Sequence, residues 1–343
     1  MAAPDHRRRI AIPFDGLDAR ALHADAGPIE VVRGTAMGTS WSVTMAMPHR
    51  VTLADVRGEI EDRLARVTAQ MSTWEPDSDL CRFNAAPAGS WHTLPAECFA
   101  VLACALRVAR DTDGAYDPTV GALVDLWGFG PAPRGTDPPG TAAISKARAR
   151  TGWARMAVDA ERRAAYQSGG VSLDFSSIAK GFAVDEVAGA LDRVGVTSHL
   201  VEIGGELRGS GTKPDGSPWW VALERPPSAH GDGPAESDVM IALHGRSIAT
   251  SGDYARGFAT GGRWYAHTID PRTGAPVSHP LASVTVVHPE CMLADAFATA
   301  LMVLGAPRGL AHATRLGLAA VFVERGPDGL EERMTPHFAA MLE

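Results

Sequence analysis

The chain has 343 residues, 45% hydrophobic and 21% charged, a globular composition that excludes a disordered, collagen-like or disulfide-scaffold protein. Its formal charge of −8 excludes the basic footprint of a nucleic-acid binder, and no apolar run reaches the ~18 residues of a membrane span. An anionic small-molecule ligand therefore needs a local positive site or a metal.

Residues 1–30 lack periodicity and read as a flexible arm. They hold no apolar run of the roughly 7–15 residues a signal peptide requires, so a cytoplasmic location is expected, the alternative being a periplasmic or membrane-anchored one if a leader has been removed. Residues 31–343 read as one domain. It opens with VVRGTAMGTSWSVTM, a strand pair about a Gly-Thr-rich turn. Thr52 then caps a helix whose apolar positions Leu53, Val56, Ile60, Leu64, Val67 and Met71 step by three or four. A second helix starts near Pro95, runs through Val101, Leu102, Ala105 and Val108, and stops at Gly114.

Residues 131–140 form a loop, and 141–170 hold a short helix and a strand pair. A strand over 170–175 leads through a Ser-Ser turn into a helix with Phe182, Val187, Leu191 and Val194 inward, ended by Gly195. The strand 199–203 closes on Gly204 and Gly205, and further strands are expected at 219–223, 239–243, 264–269 and 282–287, before a helix over 292–304. Strands adjoining strands in the second half predict an α+β fold with a largely antiparallel sheet flanked by helices.

Two compositional skews bear on function. Of the 32 basic residues 29 are Arg, the lysines being Lys146, Lys180 and Lys213, and Asn84 is the only Asn. GC-rich codon usage explains the scarcity, and a Lys or Asn that survives it marks a position that is hard to replace. Cys81, Cys98, Cys104 and Cys291 form no C-x-x-C and read as core thiols.

Phosphate-loop, zinc-protease, nucleophile-elbow and dinucleotide-fingerprint motifs are absent, so any nucleotide is handled by another device. In LDFSSIAKGFAVDEV, residues 173–187, Lys180 falls in the first turn of a helix. A cation there opposes the helix dipole unless an anion sits on the open N–H groups, which makes this a phosphate-site candidate. A solvent-facing Lys180 and a turn-capping Asp174 are the plainer readings. In ADAFATALMVLG, residues 294–305, Asp295 and Thr299 lie four apart on an otherwise apolar helix, a pairing that suits a hard cation such as Mg²⁺. The alternative is an Asp answering a helix dipole and a Thr bonded back to a carbonyl.

Within WYAHTIDPRTGAPV, His267 on a strand beside a turn is a candidate general base. Met37, Trp74, Tyr116 and Trp127, set among glycines, could clamp a flat heteroaromatic ring or simply pack the core. Asn84 lies in a turn.

In this order, these segments resemble the flavin transferase family, FAD:protein FMN transferases of the ApbE type, over residues 34–305. The resemblance implies a single α+β domain with FAD in a cleft, Mg²⁺ on its pyrophosphate, and transfer of FMN to a Thr hydroxyl of a target flavoprotein with release of AMP. It places Met37, Trp74, Ala115, Tyr116, Asp117, Asp174, Lys180 and Ile269 around FAD. Asp295, Thr299 and the main-chain carbonyl of Ser177 are implied for the metal, and His267 for catalysis. Ser176 and Ser177 depart from the small Gly or Ala often found there, Ala298 replaces a carboxylate that some members carry, and residues 1–30 hold no lipobox Cys. With water in place of Thr the same site is an FAD pyrophosphatase, and without turnover it is an FAD carrier.

Overall fold

The computed structural model describes residues 8–13, 27–132, 137–227 and 235–342. Within the expected arm, Arg9–Ala11 forms strand β1, which corrects that expectation at these residues. The Arg9 guanidinium holds it down through Asp238 at 3.0 Å and Glu332 at 2.6 Å. The rest of the arm, 1–7 and 14–26, and 133–136 of the expected loop lie outside the described residues.

Strands β2 (Ile29–Ala36) and β3 (Thr39–Ala46) form the expected hairpin. Helix α1 (Leu53–Met71) is capped by the Thr52 hydroxyl, which accepts from the Asp55 N–H, and buries Val56, Ile60, Leu64, Val67 and Met71 while Leu53 stays exposed. Then come α2 (Asp79–Asn84), β4 (Ser90–Thr93) and α3 (Ala96–Asp111). Helix α3 stops short of Gly114 because Asp113 already turns left-handed, and the Gly114 N–H closes the end on the Ala109 carbonyl.

Helices α4 (Gly121–Leu126) and α5 (Thr141–Arg148) precede strands β5 (Val158–Asp159) and β6 (Ala164–Gln167). The strand expected at 170–175 does not join a ladder. Its backbone groups are taken by two side-chain amides, with Asn84 on Leu173 and Gln167 on Val171, and by the 118–121 backbone, where Gly121 donates to Ser172 and Pro118 accepts from Asp174. At Val171 and Leu173 these bonds take both the N–H and the carbonyl, the work a neighbouring strand would otherwise do.

Helix α6 (Ala179–Arg193) follows, with Val194 as its exposed C-terminal cap rather than an inward residue. Strands β7 (His199–Ile203) and β8 (Glu206–Ser210) turn through Gly204 and Gly205 alone, with φ of +62° and +99°, the geometry a two-residue hairpin loop needs. After β9 (Trp219–Arg225), β10 (Ala235–Leu243) and β11 (Arg246–Gly252) come two short hairpins, β12 (Gly257–Thr260) with β13 (Arg263–Ala266) and β14 (Ile269–Asp270) with β15 (Ala275–Pro276). The single strand expected at 264–269 is thus two, broken where the His267 N–H turns to the Arg256 carbonyl. The chain ends with β16 (Leu281–His288), α7 (Cys291–Leu304), α8 (Ala306–Arg315), β17 (Ala319–Gly326), β18 (Gly329–Met334) and α9 (Pro336–Ala339).

Eight strands make the main sheet in the order β18-β17-β16-β11-β8-β7-β3-β2, antiparallel at every pairing. Helices α1, α6 and α7 cover one face over the principal core, from Val43 and Ile60 to Phe182 and Leu301. The sheet β1-β10-β9 and α9 contribute to a second core containing Trp219, Ile241, Ile248, Val321 and Phe338. This is the expected α+β fold with a largely antiparallel sheet. All four cysteines are free, and burial pushes the Cys98 thiol up to about 12. Among the described residues no helix is long and apolar enough to cross a membrane.

Helix α7 positions the chemistry. Apart from Asp295 and Thr299 its side chains are apolar or thiol, and it is buried on nearly all sides, as an all-apolar helix must be. A carboxylate there is costly to bury unless something compensates it.

Candidate active site

Helix α6 begins without a side-chain cap, with Ile178 at the cap position and no acidic residue in the first turn. The compensation comes from α7, whose Asp295 Oδ2 accepts from the Gly181 N–H at 3.1 Å. Asp295 thus answers a helix dipole, that of α6 rather than its own. Only glycine permits the approach, since a Cβ on residue 181 would stand 2.4 Å from the Cys291 carbonyl oxygen and 2.9 Å from the Asp295 Cβ. Asp295 is 4% exposed, and burial raises its carboxyl while Lys180 and the Gly181 N–H oppose the rise.

Lys180 does not face solvent freely. Its Nζ stands 2.5 Å from Oε1 of Glu206, the first residue of β8. Glu206 is 2% exposed, and its Oε2 has no hydrogen-bond partner among the described residues. Burial lifts the Glu206 carboxyl above the usual carboxylate range against the pull of Lys180, and the charge of Asp295 adds to the rise. Burial works to strip the proton from Lys180, but Glu206 and Asp295 more than offset it and hold the ammonium charged.

The loop entering α6 is stitched to residues 116–118. The Ser177 hydroxyl donates to the Tyr116 Oη at 3.3 Å, and the Asp174 N–H donates to the Pro118 carbonyl at 2.8 Å. Asp174 Oδ1 accepts from the Ser176 N–H at 2.8 Å and hydroxyl at 2.5 Å, the turn-capping role of the plainer reading. Asp117 turns away, with one oxygen on the N–H and hydroxyl of Thr119 and the other on the Trp153 N–H; burial raises its carboxyl. Ala115 is buried beside it. Thr299, one turn beyond Asp295, shares a 3.1 Å hydrogen bond with the Ser251 hydroxyl of β11 instead of bonding back to a carbonyl.

His267 sits half-buried between the two short hairpins, its Nδ1 3.1 Å from the Arg256 carbonyl. A carbonyl only accepts, so Nδ1 carries the proton and Nε2 keeps its lone pair. Burial pushes the imidazole down to about 4, and the charges of Arg256 and Lys180 push the same way. The Phe129 ring meets it edge-on at 6.4 Å.

Met37 stands at the tip of the β2–β3 hairpin with φ +53°, a left-handed conformation unusual for a side chain of its kind. Trp74 is 58% exposed on the neighbouring loop. Between hairpin and loop a groove of about 560 Å³ is lined by Met37, Trp41, Leu64, Thr68, Glu75 and Ser78. The Gly204 N–H donates to the Ser40 carbonyl, and a Cβ at Gly204 would lie 2.8 Å from Thr39 and 3.4 Å from the Lys180 Cδ, so the hairpin tip continues into the Lys180 site. Ile269 is buried in a small core with Leu123 and Trp127.

Lys180, Asp295, Thr299, Ser177, Tyr116 and Asp174 therefore surround the start of α6, with His267 close enough to feel the Lys180 charge. The side chains of Asp117, Ala115 and Ile269 are spent on internal packing and hydrogen bonds. Sequence reasoning missed Glu206 and Ser251. For Glu206 the Gly-Gly turn just before it was a usable signal; for Ser251 there was none.

The ApbE family model matches residues 37–322. The FAD:protein FMN transferase of Haemophilus influenzae is 37% identical over 316 residues, 90% of either chain, and that of Escherichia coli K12 is 32% identical over 337 residues, 97% of this chain and 95% of the relative. The apo crystal structure of the Pseudomonas stutzeri flavinyl transferase ApbE superposes with a TM-score of 0.84 at 41% identity, covering 92% of this chain and 97% of that one. The Vibrio cholerae flavin transferase ApbE gives 0.83 at 35% identity over 91% and 99%.

Proposed function

The chain belongs to the ApbE family, and on that basis we propose that it is an FAD:protein FMN transferase, moving FMN from FAD to a Thr hydroxyl of an acceptor flavoprotein and releasing AMP. The observation that carries the chemistry is His267, whose protonated Nδ1 is fixed on the Arg256 carbonyl and whose Nε2 is a free base. Nε2 takes the proton of the acceptor hydroxyl. The Thr Oγ then bonds to the FMN-side phosphorus, the bond from that phosphorus to the bridging oxygen breaks, and AMP leaves with the electron pair. The proton passes from His267 to solvent.

Lys180 and the N-terminal dipole of α6 stabilise charge on the phosphoryl oxygens. Met37, which lines the groove, and Trp74, exposed on the neighbouring loop, are the residues for the isoalloxazine ring, by stacking and sulfur contact. Tyr116, Asp174, and the backbone at Ala115, Asp117 and Ile269 complete the FAD site in this reading.

A hard divalent cation fits the donors present. Asp295, Thr299 and the Ser177 carbonyl are all oxygen ligands, and no cluster of three His, Cys, Asp or Glu occurs among the described residues. So few protein charges suit Mg²⁺, which keeps waters and substrate phosphates as ligands. When bound there it supplies charge neutralisation at the diphosphate. Asp295, itself buried, presents that negative charge beside the α6 start, and Ser251 orients the Thr299 hydroxyl.

The test is incubation with FAD, Mg²⁺ and a flavoprotein acceptor domain. Flavin fluorescence that stays with the acceptor in a denaturing gel is expected. Free FMN and AMP with an unlabelled acceptor would identify a pyrophosphatase, and FAD retained intact would identify a carrier.

A further inference from the structure

Two buried carboxylates, Glu206 and Asp295, compete for the one ammonium of Lys180. The direct hydrogen bond goes to Glu206, at 2.5 Å, whereas Asp295 interacts with Lys180 by charge and takes its hydrogen bond from the Gly181 N–H. We propose that Glu206 is a positioning residue that keeps the Lys180 ammonium off Asp295, leaving that carboxylate open to a divalent cation.

Three features support this. Glu206 is rigidly placed, as the first residue after a turn of two left-handed glycines. The Lys180 stem passes close by the same turn, yet its side chain keeps 30% exposure and so has room to swing. Finally, Glu206 Oε2 is buried without a partner among the described residues, a poor arrangement for stability alone, because a buried ion pair repays its desolvation only when its remaining lone pairs are satisfied. Without the Glu206 charge, the nearest counter-ion for Lys180 is Asp295.

The proposal rests on Asp295 as a cation ligand, so the experiment separates the two. Mn²⁺ is titrated into the full chain without FAD or acceptor, so that no phosphate competes for Lys180, and free Mn²⁺ is followed by electron paramagnetic resonance. Glu206→Gln should weaken Mn²⁺ binding on the order of tenfold, within the coupling range of contacting residues. Lys180→Met should then tighten binding by roughly tenfold more in the Glu206→Gln background than in the parent, because only there has the ammonium moved onto Asp295. Equal effects of Lys180→Met in both backgrounds, or no effect of Glu206→Gln, overturn the positioning role. If Asp295→Ala binds Mn²⁺ as tightly as the parent, the cation site itself falls and the proposal with it. Should Glu206→Gln fail to fold, Glu206→Asp keeps the charge with a shorter reach, and an intermediate loss that Lys180→Met reverses is the supporting result. No loss with Glu206→Asp, or one that Lys180→Met does not reverse, overturns it.

Discussion

The side-chain amide of Asn84 pairs with the backbone of Leu173 in both directions, Nδ2 donating to the carbonyl at 2.9 Å and Oδ1 accepting from the N–H at 2.7 Å. One side chain thus does what a neighbouring strand would do, on the residue just before Asp174 and the α6 entry loop. Asn84→Ala orphans both groups and should cost about 1–3 kcal/mol, read as a lower midpoint in urea. FAD affinity should fall with it, because the loop carrying Asp174 and Ser177 loses its anchor. An unchanged midpoint would show that the pair is not formed in solution.

Met37 adopts φ +53° at a hairpin tip, a strain of roughly 1–2 kcal/mol for a residue with a Cβ. Met37→Gly should therefore raise the thermal midpoint while weakening FAD binding, two effects of opposite sign on one variant. A variant that binds FAD as before would remove Met37 from the flavin site.

Gly181→Ala places a methyl against the Cys291 carbonyl and Asp295. Overpacking between α6 and α7 should destabilise by about 1–3 kcal/mol. Because Asp295 is displaced as well, the Mg²⁺ concentration giving half-maximal transfer should rise. Chemical denaturation and a Mg²⁺ titration of the rate measure the two effects separately.

General-base assistance is worth roughly 10²–10⁴ in rate, so His267→Ala should lose transfer by that factor and keep its FAD. Burial and the charges of Arg256 and Lys180 lower the imidazole from the usual 6.5 to about 4. The base is active when neutral, so kcat/KM should hold steady as pH falls through 6.5 and drop only as it falls through about 4. An acid limb near 6.5 would assign the proton transfer to an unperturbed group.

Periodicity made the long elements legible: α1 with its Thr52 cap, the β2–β3 hairpin, β7 with its Gly-Gly turn, and α7. It failed at 170–175, where the strand-like residues bond to the side-chain amides of Asn84, 89 residues away, and Gln167, four residues before Val171, instead of to a ladder. It also failed at 264–269, where a backbone detour at His267 splits one apparent strand into two. In the site, Lys180, Asp295 and Thr299 stood out as polar residues in apolar surroundings. Glu206 and Ser251 did not, because each matters through a contact across the sheet and helix layers that only the folded chain makes. Asn84 could be flagged as the only Asn, but its partner lies 89 residues away.

The most direct measurement is the stoichiometry of products from FAD and Mg²⁺ with a flavoprotein acceptor, by mass spectrometry of the acceptor and chromatography of the nucleotide. The account predicts one FMN bonded to an acceptor Thr for each AMP released, with both lost together in His267→Ala. AMP appearing with an equal amount of free FMN, and no mass added to the acceptor, would contradict it.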